Sequence, residues 1–386
     1  MPRVDERVVK RVDDVWRRFV DQGRIVGGVL LLAQGGALRY VSARGWADRE
    51  NRLPMRRDTR FRLASLTKLL TSVAVLRLCQ SGLLALDAPV TTWLPDFQPA
   101  LADGREPVIT VRHLLSHTSG LGYGFEQLPD NAYQRAGVSD GLDRVAFDLA
   151  ENVRRLAQPP LLFEPGSGWA YSLAADVLGA VLQQATGEPL PQVLARWVTE
   201  PLAMNATGFA CDDPDTLAVA YKDGLPEPLR ISACDVLELE GGHARVSSAR
   251  AFDADQYPSA GAGMLGTADD YLRLLECLRL GGSPLLSRAS TALLLGNAIG
   301  NAVMKGRGAG WKFGLGPAVL TSPAAAGHRQ GPGAWTWCGL YGSHYWVDPR
   351  AEMTLVVLTN TAVAGAWGAL ADGVVEAIYP AISGHF

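Results

Sequence analysis

Ser65 and Lys68 stand at the head of an apolar run, Phe61-Arg-Leu-Ala-Ser65-Leu-Thr-Lys68-Leu-Leu-Thr-Ser-Val-Ala-Val-Leu76, whose pattern predicts a helix. Three residues apart on a helix, the two side chains share a face one turn from each other. A helix N-terminus offers free backbone N–H groups and the positive end of a dipole. That setting suits a nucleophile that must pass negative charge to an oxyanion. The lysine is the unusual member: the chain has five lysines against 31 arginines, and this one lies among Leu, Val and Ala. Apolar burial lowers a lysine's pKa and turns a cation into a general base. The same residues also read as a capping serine and a lysine whose stem snorkels to the surface. Chemistry therefore needs partners elsewhere in the chain.

One partner is Tyr171, in Glu164-Pro-Gly-Ser-Gly-Trp-Ala-Tyr171-Ser172. Pro165 and Gly166 predict a turn that leaves Tyr171 on a loop before a helix. A tyrosine there relays a proton if a cation lowers its pKa, and otherwise packs. The other is Trp335-Thr-Trp337-Cys-Gly339-Leu340-Tyr341-Gly-Ser-His-Tyr-Trp346, with three tryptophans and two tyrosines in twelve residues. It reads as an aromatic hairpin, or as an edge strand whose Trp335, Trp337, Gly339, Tyr341 and Trp346 line an apolar pocket and whose N–H donates to an oxyanion. Two other patterns carry less. Gly137-Val-Ser139-Asp-Gly141 matches the nucleophile elbow G-x-S-x-G, but no strand pattern precedes it. Ser139 is instead expected to start a helix running to Leu156. His113 and His117 are four apart, with no carboxylate between them and no third ligand nearby, so no metal is expected.

The elements that must hold these residues follow from periodicity. Val4, Val8, Val12, Trp16 and Phe19 pattern an N-terminal amphipathic helix. Ile25–Ala33 and Ala37–Ala43 flank Gln34-Gly-Gly36 as a hairpin. Helices are expected at Val145–Leu156, Leu173–Ala185, Pro189–Val198 and Ala268–Leu280, with long loops and short strands over 205–260. Strands return at Gly310–Leu315, Ala334–Gly339, Ser343–Asp348 and Met353–Thr359, before a last helix, Ala366–Ala381. The simplest packing is α/β plus all-α: an antiparallel sheet built from both chain ends, covered by the terminal helices, with a helical domain inserted. The expected division is 1–75 with 290–386 for the sheet domain and 76–289 for the helical one, the site lying between.

Composition excludes several classes. At 386 residues, 48% hydrophobic and 19% charged, the chain is ordinary for an enzyme. A net charge of −3 gives no case for nucleic acid or an anionic membrane. Five scattered cysteines (Cys79, Cys211, Cys234, Cys277, Cys338) contain no C-x-x-C pair and favour free thiols. With no apolar leader and no membrane-length run, a cytoplasmic location is expected.

In order, S-x-x-K on an early helix, a loop tyrosine and a glycine-containing late strand resemble the serine β-lactamases and penicillin-binding proteins. The chain is more closely similar to the family VIII carboxylesterases, which share the class C β-lactamase fold. His113-Leu-Leu-Ser-His-Thr-Ser-Gly-Leu121 and Gly261-Ala-Gly-Met-Leu-Gly-Thr-Ala-Asp-Asp270 support this, over roughly residues 8 to 380. By position, the resemblance makes Ser65 the acylated serine, Lys68 its base and Tyr171 its proton-relay partner. It makes the backbone N–H groups of Ser65 and Leu340 the oxyanion hole. Leu173 stands where β-lactamases have Asn, and Trp337 where they have Lys or His. Loss of that cation argues against lactams as main substrates. Cys338 replaces the first Gly of a Trp-Gly-Gly pattern.

These residues imply an esterase working through an acyl-Ser65 intermediate on a small-molecule ester, with no cofactor. An acyltransferase of the lovastatin type would use the same acyl-enzyme with an alcohol in place of water. A β-lactamase, D-peptidase or penicillin-binding protein is the further alternative.

Overall fold

The computed structural model describes residues 3–379. Helix α1 (Glu6–Asp21) starts at Asp5, whose side chain accepts from the Val8 N–H, and it buries Val8, Val12 and Trp16. Strands β1 (Gly27–Gln34) and β2 (Ala37–Asp48) form the expected hairpin. Its turn residues, Gly35 and Gly36, have φ of 61° and 77°, the left-handed conformation that a two-residue hairpin turn requires. A short edge strand β3 (Leu53–Pro54) follows. The C-terminal part contributes β4 (Trp311–Phe313), β5 (Ala318–Leu320), β6 (Trp335–Gly339), β7 (Ser343–Asp348) and β8 (Met353–Thr359).

Together they make one eight-stranded sheet in the order β4-β5-β6-β7-β8-β1-β2-β3, with antiparallel neighbours. The chain ends meet where β1 pairs β8, Leu31 opposite Val356. Seven of the eight β1 residues are buried, because helices cover both faces. One face packs on α1 and α5 (Ala369–Ile378). Gly28 allows this approach: a Cβ there would come within 2.9 Å of the Trp16 ring.

On the other face lies α2 (Thr67–Gln80), in which every residue from Thr67 to Leu76 is buried. It is a central helix, buried on all sides over that stretch. Against it packs α3 (Ala174–Thr186), and the helix Leu149–Leu156 packs on α3 in turn. Helix α4 (Ala268–Arg279) was expected within the helical insertion. It packs on β1 and β8 instead, and so belongs with the sheet.

Other expectations differ at their edges. The helix expected from Val145 begins at Leu149, where Asp148 caps it by accepting from the Glu151 N–H. Ser139 therefore starts no helix; it sits in an irregular segment. The Pro189–Val198 helix is α-helical only over Leu190–Leu194 and then widens into a π-turn. Strand β5 is an addition, three residues long and too short for a period to show. The last helix runs from Ala369, and its expected end at Ala381 lies outside the described residues.

Candidate active site

Ser65 sits in a 3-10 turn, Ala64–Leu66, immediately before α2. Ala64 has φ 45°, a left-handed conformation costing a non-glycine residue about 1–3 kcal/mol that surrounding structure must hold. That turn bends the chain so that Ser65 stays partly accessible while Ala64 and Leu66 are buried.

Lys68 follows in the first turn of α2 and is 3% exposed. Its Nζ lies 3.3 Å from Ser65 Oγ, 2.8 Å from the Tyr123 hydroxyl and 2.9 Å from the Gly261 carbonyl oxygen. A neutral amine has two N–H donors and one lone pair. Two donors for Tyr123 and Gly261 leave the lone pair for the Ser65 hydroxyl proton. Burial pushes the lysine down to about 7, against the opposing charge of Asp176.

The Ser65 side chain acts on Tyr171 in favour of its ionised form, and Lys68 Nζ stands 4.7 Å from the Tyr171 ring centroid. The Trp337 indole N–H reaches its hydroxyl at 3.4 Å. Burial outweighs these bonds and pushes Tyr171 up from its ordinary value, as it does Tyr123. Both tyrosines stay phenols at neutral pH, so Lys68 is the group able to accept a proton.

Two contacts across the chain set this geometry. Gly339 in β6 lies so close to the 3-10 turn that a Cβ would come within 2.3 Å of the Leu63 carbonyl oxygen. The end of the strand, and with it Leu340, therefore abuts the turn carrying Ser65. Behind Lys68, the buried Asp176 of α3 accepts from Ser259 Oγ and from the Gly261 N–H, both at 2.8 Å. It thereby pins the Gly261 carbonyl that Lys68 meets. A Cβ on Gly261 would lie 3.3 to 3.4 Å from Asp176, Lys68 and Tyr123 at once.

The whole chain has known likenesses. The family model described as Beta-lactamase matches residues 12–377. Esterase EstB of Burkholderia gladioli is 48% identical over 372 residues, covering 96% of this chain and 94% of its own. The chain belongs to the β-lactamase family. Among solved structures, EstCE1, a hydrolase with promiscuous acyltransferase activity, superposes with a TM-score of 0.93 at 45% identity. That match covers 97% of this chain and 99% of the other. Simvastatin synthase LovD of Aspergillus terreus shares the fold, with a TM-score of 0.73 at 23% identity over 96% of this chain and 98% of its own.

This β-lactamase-family structure brings together Ser65, Lys68, Tyr171, Trp337 and Gly339, and it corrects the rest of the expected pocket. Trp346 pairs with Thr336, so strand alternation turns it away from Trp337. It packs on Tyr379 on the α1 and α5 face. Trp335 shares Trp337's face but is only 1% exposed and stacks edge-on with Tyr345. Tyr341 lies in a separate cluster, 5.8 Å from the Arg62 guanidinium, lining with it a distinct cavity of about 30 Å³.

Ser139 donates to Asp143 at 2.5 Å and receives the Tyr257 hydroxyl at 3.2 Å, with no strand before it. His113 closes a helix cap with Thr110. His117 has its ring 5.0 Å from Tyr171 and its Nδ1 2.8 Å from Ser172 Oγ. Burial pushes that histidine well down, so it supports Tyr171 as a neutral ring. Tyr123, Asp176 and Gly261 are site residues that sequence reasoning did not find. The signal for Tyr123 was its place among glycines, Gly120-Leu-Gly-Tyr123-Gly, just past a segment already marked.

Among the described residues, no helix is long and apolar enough to cross a membrane.

Proposed function

We propose that this protein is a serine carboxylesterase acting through an acyl-enzyme on Ser65. The observation that carries this reading is the contact of a buried lysine, lowered to about 7, with the hydroxyl it would deprotonate. Lys68 takes the Ser65 proton as Oγ attacks the ester carbonyl. The oxyanion is received by the N–H groups of Ser65 and Leu340, a role supported by the packing of Gly339 on Leu63. Tyr171, held as a phenol, protonates the departing alkoxide, which is the stronger base, and takes a proton back from the Lys68 ammonium, which leaves Lys68 neutral. Water then attacks the acyl-enzyme with Lys68 again as base, and Lys68 returns that proton to Ser65 Oγ as the acid departs.

The likeness to EstB and EstCE1 supports esters as the substrate class. That of EstCE1 also favours a second outcome of the same intermediate, transfer of the acyl group to an alcohol. Mass spectrometry of the protein quenched during turnover of nitrophenyl butyrate tests the reading. An acyl mass on the Ser65 peptide is expected, and turnover with the adduct on another residue would sink it. Adding an alcohol acceptor and measuring ester product against free acid separates transfer from hydrolysis.

A further inference from the structure

The loop before β4 carries a cation to the mouth of this site. Arg307 is half-buried, with its guanidinium 4.9 Å from the Trp311 ring and 5.9 Å from the Trp337 ring. Trp337 is the residue whose indole bonds Tyr171, so a single aromatic ring connects Arg307 to the catalytic phenol.

Guanidinium carries five N–H donors in a planar fork. Among the described residues, those of Arg307 meet no hydrogen-bond acceptor and no carboxylate within 4.0 Å. Asp372 acts on it only at longer range. An arginine seated over aromatic rings, half-buried and without a protein partner, is preorganised to take a carboxylate through its free edge.

We infer that Arg307 is a specificity determinant, and that the preferred ester carries a carboxylate elsewhere in the molecule, held by this guanidinium beside Trp337. The inference rests on the esterase reading of the site and names its substrate class.

Two matched pairs of esters test it: the nitrophenyl monoester of glutaric acid against nitrophenyl butyrate, and carboxyphenyl butyrate against carbamoylphenyl butyrate. The first pair places the carboxylate on the acyl side and the second on the alcohol side. The readout is the ratio of kcat/KM within each pair, for wild type and Arg307→Gln. In at least one pair the ratio is expected to fall by about ten- to a hundredfold, the worth of a charge-assisted hydrogen bond. Arg307→Lys should retain part of it. A change below about threefold in both pairs overturns the inference.

Calorimetric titration of the Ser65→Ala protein with the charged ester of whichever pair shows the fall reads Arg307 without turnover. Binding lost when Arg307→Gln is added supports the assignment, and equal binding overturns it. Absence of turnover of every ester by the wild type would instead count against the esterase reading alone.

Discussion

A lysine that serves as a neutral base must be costly while it is charged, and that cost is measurable. The ordinary Lys68 value of 10.5 falls to about 7 in the folded protein, a difference of about 5 kcal/mol between charged and neutral forms. The sign follows from proton counting. Between about pH 7 and pH 10.5 the unfolded chain holds a proton on Lys68 that the folded protein has released, so stability rises with pH across that window. Below about 7 both states are charged and the full penalty applies.

Lys68→Met keeps the stem volume and removes the titration. The stability advantage of Lys68→Met over wild type is expected to be several kcal/mol at pH 7 and to shrink by about 1.4 kcal/mol per pH unit above it. Urea denaturation of both proteins at pH 6, 7, 8 and 9 gives that difference, in which every ionisation not coupled to Lys68 cancels; Glu126, which Lys68 holds down, adds to it near pH 7. The same ionisation should govern catalysis, with wild-type kcat/KM rising with pH to a plateau through an inflection near 7. A stability difference flat to within about 0.5 kcal/mol from pH 7 to 9 would refute the reasoning, because Lys68 would then keep its proton and could not be the base.

Three further outcomes follow from the site. Ser65→Ala should fold and lose at least about a thousandfold in kcat, whereas Ser139→Ala keeps its activity; a fluorophosphonate recovered on Ser139 and not on Ser65 would reverse both assignments. Asp176→Asn keeps an acceptor for the 2.8 Å bonds from Ser259 and Gly261 but removes the charge that holds Lys68 up. The acid limb of its kcat/KM profile should therefore move about one pH unit lower, and an unmoved limb would show that Asp176 carries no charge there. In the Arg307→Gln variant, nitrocefin should be cleaved with kcat/KM about ten- to a hundredfold below the best nitrophenyl ester, because Trp337 offers its carboxylate no charge. Equal specificity constants in that variant would remove this role from Trp337.

Part of this site was legible in the sequence because its spacing is local. Ser65 and Lys68 are three residues apart, and the fold needs only one turn to make them neighbours. Tyr171 was legible through the Pro-Gly turn before it. The supports of Lys68 were not, because no spacing encodes them: Tyr123 lies 55 residues from Lys68 and Gly261 lies 193 away. They converge only once α2 is buried on all sides. For the same reason α4 was expected in the wrong layer: its apolar face is plain in the sequence, but the partner it covers is set by the pairing of β1 with β8 across the whole chain.

The aromatic segment fails differently. Reading Trp335 to Trp346 as one pocket wall counted aromatic residues without applying the period of two. Trp335, Trp337 and Gly339 share one face of β6, and the hairpin places Tyr345 opposite Trp337. Trp346 is thereby sent to the other face, against α5 and its following Tyr379. Applied at the outset, strand alternation alone would have removed Trp346 from the site and kept Trp337. It would also have put Gly339 on the Trp337 face, where only a residue without a Cβ lets the strand close on the turn that carries Ser65.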